Sequence, residues 1–81
     1  MQKELSLMDL NPGEFGIIRE FKGRDADFCR LQEMGLCSGT SLKMIKFAPF
    51  GNPVQVKCRG FYLSIDKATA CQVLIEKISG N

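Results

Sequence analysis

Apolar and polar residues alternate with a period of two along much of the chain, which is the spacing of a strand with one buried face. Five short strands are predicted, at residues 14–21, 41–47, 54–59, 61–66 and 71–78. Gly16 lies within the first, where a glycine indicates either a bulge or a close backbone approach. Because a flat sheet of this size would leave long unpaired edges, we expect a closed or half-closed antiparallel barrel.

One short helix is predicted after the first strand, over residues 26–34, with Asp25 or Asp27 as its N-cap. Its apolar stripe consists of Phe28, Leu31 and Met34. A helix of about nine or ten residues is not stable alone in water, so it is expected to dock on the sheet through this stripe. Gly35 supplies the left-handed conformation that ends the helix, and Leu36 is expected to fold back over the apolar face.

The loop at residues 48–53 is predicted to be stiff. Pro49 and Pro53 each fix φ and remove a backbone donor, and Gly51 permits a tight turn. Phe50 lies at the loop tip, where an aromatic side chain is costly to expose unless something covers it. Phe50 is therefore the apolar residue that is least readily assigned to the hydrophobic core.

Three groups of residues stand out by their order and spacing: Glu33-Met34-Gly35-Leu36, Gly39-Thr40 and Ala48-Pro49-Phe50-Gly51-Asn52-Pro53. Shorter pieces accompany them: Asn11-Pro12-Gly13-Glu14 with Gly16 and Ile18, Arg59-Gly60, and residues 70–76. Together they resemble the FeoA family of small cytosolic proteins associated with bacterial ferrous iron uptake. The resemblance implies an SH3-like barrel, in agreement with the alternation. The chain departs from the family pattern just before Ala70, where it has Asp66 and Thr69. These two residues lie in a predicted single helical turn.

The composition is that of an ordinary globular protein, with 81 residues, 44% hydrophobic and 25% charged, and predicts one domain over residues 1–81. A net charge of +2 is too small to indicate a nucleic-acid or membrane-surface partner. The first residues do not resemble a signal peptide, and no apolar run approaches the roughly 20 residues that span a bilayer. A cytoplasmic protein is expected, with membrane association only through a partner.

The chain lacks the residue types that most catalytic sites use. It contains no histidine, no nucleophile elbow and no phosphate-binding glycine loop. We therefore predict that the protein is not an enzyme and that it carries no cofactor.

The four cysteines form no CxxC pair, and without histidine they complete no familiar zinc site. In a reducing cytosol they are expected to be free thiols that behave as small hydrophobic residues. Cys58 is predicted to point inward, and Cys37 is the only one expected to be accessible. No metal site is predicted; the alternative is a small thiol site that uses Cys37 with another cysteine.

Nucleic-acid binding is the next class of function. Four basic residues could form a modest basic face: Lys43, Lys46, Lys57 and Arg59. Small barrels that bind single strands also present aromatic side chains for stacking, and none is expected beside these lysines. Lysines on a strand edge more often discourage aggregation, so no nucleic-acid partner is predicted.

Partner binding remains. A groove where the helix leaves the barrel, lined by Leu31, Met34, Leu36 and Phe50, would suit an apolar partner, with the stiff loop as its lip. The competing explanation is that the leucines and Met34 are plain core. The predicted partner-binding residues are Leu31, Met34, Gly35, Leu36, Pro49, Phe50, Gly51 and Pro53.

The resemblance to the FeoA family implies the partner. It implies contact, on the cytosolic side, with a membrane ferrous iron transporter that carries a GTP-binding domain, and modulation of that transporter. Weak self-association is left open. A second alternative, also from the resemblance, is a stand-alone relative of the C-terminal SH3-like module of iron-dependent repressors.

Overall fold

The computed structural model describes residues 4–23 and 26–78. Along the chain, the strands and helices are β1 (Leu5–Ser6), a 3₁₀ turn (Leu7–Asp9), β2 (Phe15–Phe21), α1 (Ala26–Glu33), β3 (Ser41–Phe47), β4 (Val54–Cys58), β5 (Phe61–Ile65), α2 (Lys67–Ala70) and β6 (Val73–Ile78). The six strands form one antiparallel sheet in the order β1-β6-β2-β3-β4-β5. The prediction of a mainly β, antiparallel domain is confirmed.

The number of strands was underestimated. Leu5 and Ser6 pair with Ile75 and Leu74 and add a strand at the N-terminal edge, so α1 follows the second strand and not the first. A strand of two residues is too short to show alternation. The 3₁₀ turn after β1 begins with a capping box. In it, Ser6 Oγ accepts from the Met8 amide at 3.2 Å and the Asp9 carboxylate accepts from the Ser6 amide at 2.8 Å.

The core lies on the inner face of the curved sheet. β4 shows the pattern most clearly, because Val54, Val56 and Cys58 are buried while Lys57 between them is exposed. The largest fully buried side chains come from every part of the chain: Leu7, Leu10, Ile18, Leu36, Leu42, Met44, Val54, Val56, Val73 and Cys58. Each large apolar side chain removed from water contributes about 1.5–3 kcal/mol, so this face is the main source of stability.

Gly16 marks a close approach and not a bulge. A Cβ at this position would lie 3.2 Å from Leu10 Cδ1 and 3.3 Å from Ile75 Cδ1. The register shift of β2 against β6 occurs further along, between Ile18 and Glu20. Of the two explanations for Gly16, the close approach of other parts of the chain is therefore correct.

The end of α1 follows the prediction closely. Gly35 has φ +101°, its amide donates to Gln32 O at 3.0 Å, and the Leu36 amide donates to Leu31 O at 3.0 Å. These two bonds form a Schellman motif, and they turn the fully buried Leu36 back onto the core. Asp25 and the side chain of Asp27, the predicted N-caps, lie outside the described residues.

Two boundaries differ from the prediction. Met34 lies in the turn after α1 and is 41% exposed, so it does not continue the apolar stripe. β6 begins at Val73 because Cys71 and Gln72 are still in the turn after α2, with their amides bonded to Lys67 O and Thr69 O. In both places a turn extends beyond the last helical residue and reorients the side chains.

Candidate functional site

The loop at residues 48–53 is held by two backbone hydrogen bonds. The Gly51 amide donates to Ala48 O at 2.7 Å, and the Ala48 amide donates to Pro53 O at 3.0 Å. Gly51 has φ +81°, and the Asn52–Pro53 peptide bond is cis. The two hydrogen bonds close the loop, and Phe50 at its tip is 98% exposed.

Asn52 ties this loop to α2. Its side-chain Oδ1 accepts from the Lys67 amide at 2.9 Å, while Asp66, at the N-cap position of α2, makes no side-chain capping bond. Asparagine is a preferred capping residue, but it usually caps the helix that follows it directly in the chain. Sequence reasoning therefore had no signal to assign Asn52 to a helix fifteen residues away.

The predicted groove does not form as expected. Leu31 and Leu36 are core residues, 6% and 0% exposed, so Leu36 offers no surface to a partner. Leu31 borders a small cleft of about 70 Å³ that is otherwise lined by Arg30, Ser64, Ile65, Asp66 and Thr69. Of the predicted anchors, Met34 and Phe50 are the exposed ones. Their contact with a partner stays a prediction.

The turn after α1 is organised by the carbonyl of Gly35. This oxygen accepts from the Cys37 amide at 3.1 Å and from Thr40 Oγ1 at 3.2 Å, and the Cys37 thiol lies 3.7 Å away. Arg59, from the turn between β4 and β5, packs against the same glycine: its Cδ would lie 3.5 Å from a Cβ there. Among the described residues, Arg59 is the one non-glycine residue with positive φ, at +53°.

The cysteines correct one prediction. Cys58 is buried as expected, and burial raises the pKa of its thiol, partly offset by the nearby Arg59 charge. Cys37 is not the only accessible thiol, because Cys29 and Cys71 are exposed as well. In the part of the chain that the structure describes, no group of three or more cysteine or acidic residues is placed to hold a metal ion.

A row of five residues crosses the outer face of the sheet from β6 to β5. The cross-strand pairs are Ile78 with Phe15, Phe15 with Lys43, Lys43 with Lys57, and Lys57 with Tyr62. Directly opposite residues share a face, so these five side chains form one line, which we call the lysine row. Lys43 Nζ lies 5.5 Å from the centre of the Phe15 ring, and Lys57 Nζ lies 5.5 Å from the centre of the Tyr62 ring. The expectation that no aromatic residue flanks these lysines was wrong.

An open cleft of about 600 Å³ lies beside β1, β6 and β2. Its lining mixes charges of both signs with apolar residues: Glu4, Leu5, Arg19, Glu20, Leu74, Ile75, Glu76 and Lys77. Arg19 and Glu76 are paired across it at 2.9 Å. The cleft therefore carries charges of both signs and does not indicate a ligand of one charge.

No helix within residues 4–23 and 26–78 has the length and apolar character needed to cross a membrane.

A six-stranded antiparallel sheet with two short α-helices between its strands defines a small, mainly β domain. The FeoA domain model matches residues 5–77, and the chain belongs to the FeoA family. The resemblance drawn from the turn residues is thus confirmed.

Relatives and solved structures support the same assignment. The chain is 27% identical over 77 residues to the "Fe(2+) transport protein A/Fe(2+) transporter FeoB fusion protein" of Porphyromonas gingivalis, a match that covers 95% of this chain and 9% of that protein. The solution structure of a FeoA protein from Chlorobium tepidum superposes with a TM-score of 0.88 at 28% identity, and covers 95% of this chain and 73% of that one.

Two more distant structures share the fold alone. FeoA from Stenotrophomonas maltophilia, a procaryotic SH3 domain protein solved with zinc, has a TM-score of 0.77 at 21% identity over 89% of each chain. ScaR with bound Cd²⁺ has a TM-score of 0.80 at 19% identity, over 96% of this chain and 37% of that one. The SH3-like fold is therefore confirmed.

Proposed function

We propose that this protein is a non-enzymatic accessory component of ferrous iron uptake that binds a FeoB-like membrane transporter on its cytosolic side. The observation that carries the proposal is the Porphyromonas gingivalis relative, in which a FeoA part and a FeoB part are joined in one chain. Parts that are fused in one protein are commonly separate binding partners in another. The present chain spans about 9% of the length of that relative.

The contact surface is proposed to include the tip of the 48–53 loop and the turn after α1. Phe50 is 98% exposed on a loop closed by its own hydrogen bonds, so binding it would cost little conformational entropy. Exposed aromatic residues in such positions are frequent anchors of interfaces. Met34, 41% exposed, offers a flexible apolar side chain on the second surface.

Binding would modulate the transporter through differential affinity. A partner shifts an equilibrium between two conformations only if it binds one of them more tightly. Because the transporter is proposed to carry a GTP-binding domain, its nucleotide state is the natural candidate for what this protein distinguishes.

A titration followed by amide NMR tests the proposal. The isotope-labelled chain is titrated with the soluble GTP-binding domain of the cognate transporter, and then with the full-length transporter in detergent, each in GDP and GTP-analogue forms. We expect shifts of the amide signals of residues 34–36 and 50–52 that differ between the nucleotides, since Pro49 and Pro53 have no amide proton. An absence of shifts with the full-length transporter in both forms would overturn the proposal.

A further inference from the structure

The lysine row contains an arrangement that costs stability in the isolated protein. Lys43 and Lys57 are directly opposite each other on β3 and β4. Like charges in such cross-strand pairs are destabilising, whereas opposite charges there stabilise a sheet. A local conflict of this kind is more often found where a surface has a function than on an ordinary solvated face.

No carboxylate within the described residues compensates these two charges. Ion pairs there join Arg19 to Glu76 at 2.9 Å, Lys22 to Glu4 at 3.1 Å and Lys77 to Glu14 at 3.4 Å. Arg19 on β2 and Lys77 on β6 thus have acidic partners, whereas Lys43 and Lys57 lie over aromatic rings. Lys46 on β3 also has no ion pair with a described residue. The middle of the row therefore carries an uncompensated positive charge.

Apolar surface lies at both ends of the row. Phe15 and Ile78 are 43% and 38% exposed at one end, and Tyr62 is 56% exposed at the other. The rings also position the two ammonium groups, because a cation above an aromatic face is attracted to it. The row thus presents, in order, apolar surface, two positive charges and apolar surface across five strands.

We propose that the lysine row is a docking site for an extended acidic segment of a protein partner, in which the side chains on one face of the segment run apolar, acidic, acidic, apolar. The carboxylates would meet Lys43 and Lys57, and the apolar side chains would lie against Phe15 and Tyr62. This deepens the proposed function, because it assigns part of the transporter contact to a segment of stated chemistry.

A protein segment fits this surface better than a nucleic acid does. Each of the two rings already has an ammonium group 5.5 Å from its centre, which occupies a face on which a base would stack. The net charge of +2 also provides little of the attraction that usually drives binding to a phosphate backbone.

The first test uses the whole protein and a short fluorescent peptide of sequence Leu-Ser-Glu-Ser-Glu-Ser-Leu, whose binding is followed by anisotropy. In its extended form both leucines and both glutamates lie on one face. We expect binding that weakens as salt is added, because salt screens the attraction between charges at the protein surface. Lys43→Glu should weaken binding by about tenfold or more, because it replaces an attraction with a repulsion. Lys67→Glu makes the same charge change on α2, outside the row, and should alter binding by no more than about twofold, as expected for a distant surface charge.

Thermal unfolding separates lost binding from lost folding. Lys43→Glu places a carboxylate opposite Lys57, so its unfolding midpoint should equal or exceed that of the original protein. If Lys43→Glu is at least as stable as the original protein but binds the peptide more weakly, the lysine row is supported as the binding site. Equal losses for Lys43→Glu and Lys67→Glu would overturn the proposal, as would no peptide binding at all. Tighter binding of an oligothymidylate than of the peptide would also overturn it, in favour of a nucleic acid.

The second test distinguishes this proposal from the proposed function. The full-length cognate transporter in detergent is captured on the immobilised protein, either the original or Lys43→Glu. Capture by the original and a clear loss with Lys43→Glu supports both proposals. Equal capture by both overturns the docking site and leaves the proposed function standing. If neither captures it but the peptide binds the original, the proposed function is overturned and the acidic-segment site is retained for another protein.

Discussion

Leu36 and Phe50 are both apolar residues next to a glycine turn, and the fold treats them in opposite ways. Gly35 has φ +101° and directs Leu36 into the core, where it is 0% exposed. Gly51 has φ +81° and closes a loop that leaves Phe50 98% exposed. Each turn has an apolar residue beside a glycine of positive φ, but one turn stabilises the domain and the other displays a side chain. Predicted partner-binding residues therefore divide into structural and displayed ones.

The largest effect on stability is expected from Leu36→Ala. Truncating a fully buried leucine removes apolar contacts and leaves a cavity, which lowers the free energy of unfolding by about 2–5 kcal/mol. Urea denaturation followed by circular dichroism measures this directly. A loss below about 1 kcal/mol would show that Leu36 is not a core residue, because surface substitutions usually fall within that range.

Gly35→Ala is expected to cost about 1–2 kcal/mol, because a residue with a Cβ is strained in the left-handed region. Steric crowding contributes little, since the new Cβ would be 3.5 Å from Arg59 Cδ, an ordinary contact distance. Gly35→Asn is the control, because asparagine tolerates this conformation better. Equal losses for both variants would contradict a purely conformational cause.

Asn52→Ala should lower the free energy of unfolding by about 1 kcal/mol, as is typical of losing a helix cap. Asn52→Asp keeps an oxygen that can accept from the Lys67 amide and should retain most of the stability. Hydrogen exchange at Lys67 reports the bond itself. Unchanged protection of that amide in Asn52→Ala would show that the loop does not depend on α2 for its position.

Phe50→Ala is expected to change stability least, within about 0.5 kcal/mol, since its side chain is almost entirely in solvent. Its effect should instead be on the transporter, with binding weakened by about 1–3 kcal/mol if Phe50 is an anchor. Calorimetric titration of the transporter with the original and variant proteins measures the difference. Together with Leu36→Ala, this variant tests whether stability and binding are divided between the two turns.

Local features of the fold were predictable because they depend on neighbouring residues. The alternation over β3 reproduced its bounds, Ser41–Phe47, and the glycine and proline positions indicated the turns correctly. The Schellman end of α1 followed from Gly35 and the apolar residue after it. β1 was missed, because two residues form a strand only when β6 is present to pair with them.

The candidate site was less predictable. Burial of Leu36 and exposure of Phe50 both depend on which way a turn directs the chain, and a stripe of apolar residues does not distinguish a core from a groove. The bond from Asn52 to the Lys67 amide joins two elements that are separated in sequence. Exposure of Cys29 and Cys71 likewise depends on how their elements pack.

By itself, the sequence of this protein determined most of its secondary structure, the places where it turns and, through these, its family. These follow from the period of apolar residues and from the restricted backbone of glycine and proline, which act over a few residues. Only the tertiary structure decided which residues are neighbours across strands. The lysine row exists because strand pairing places Phe15, Lys43, Lys57 and Tyr62 side by side, and that register is set by the packing of the whole inner face.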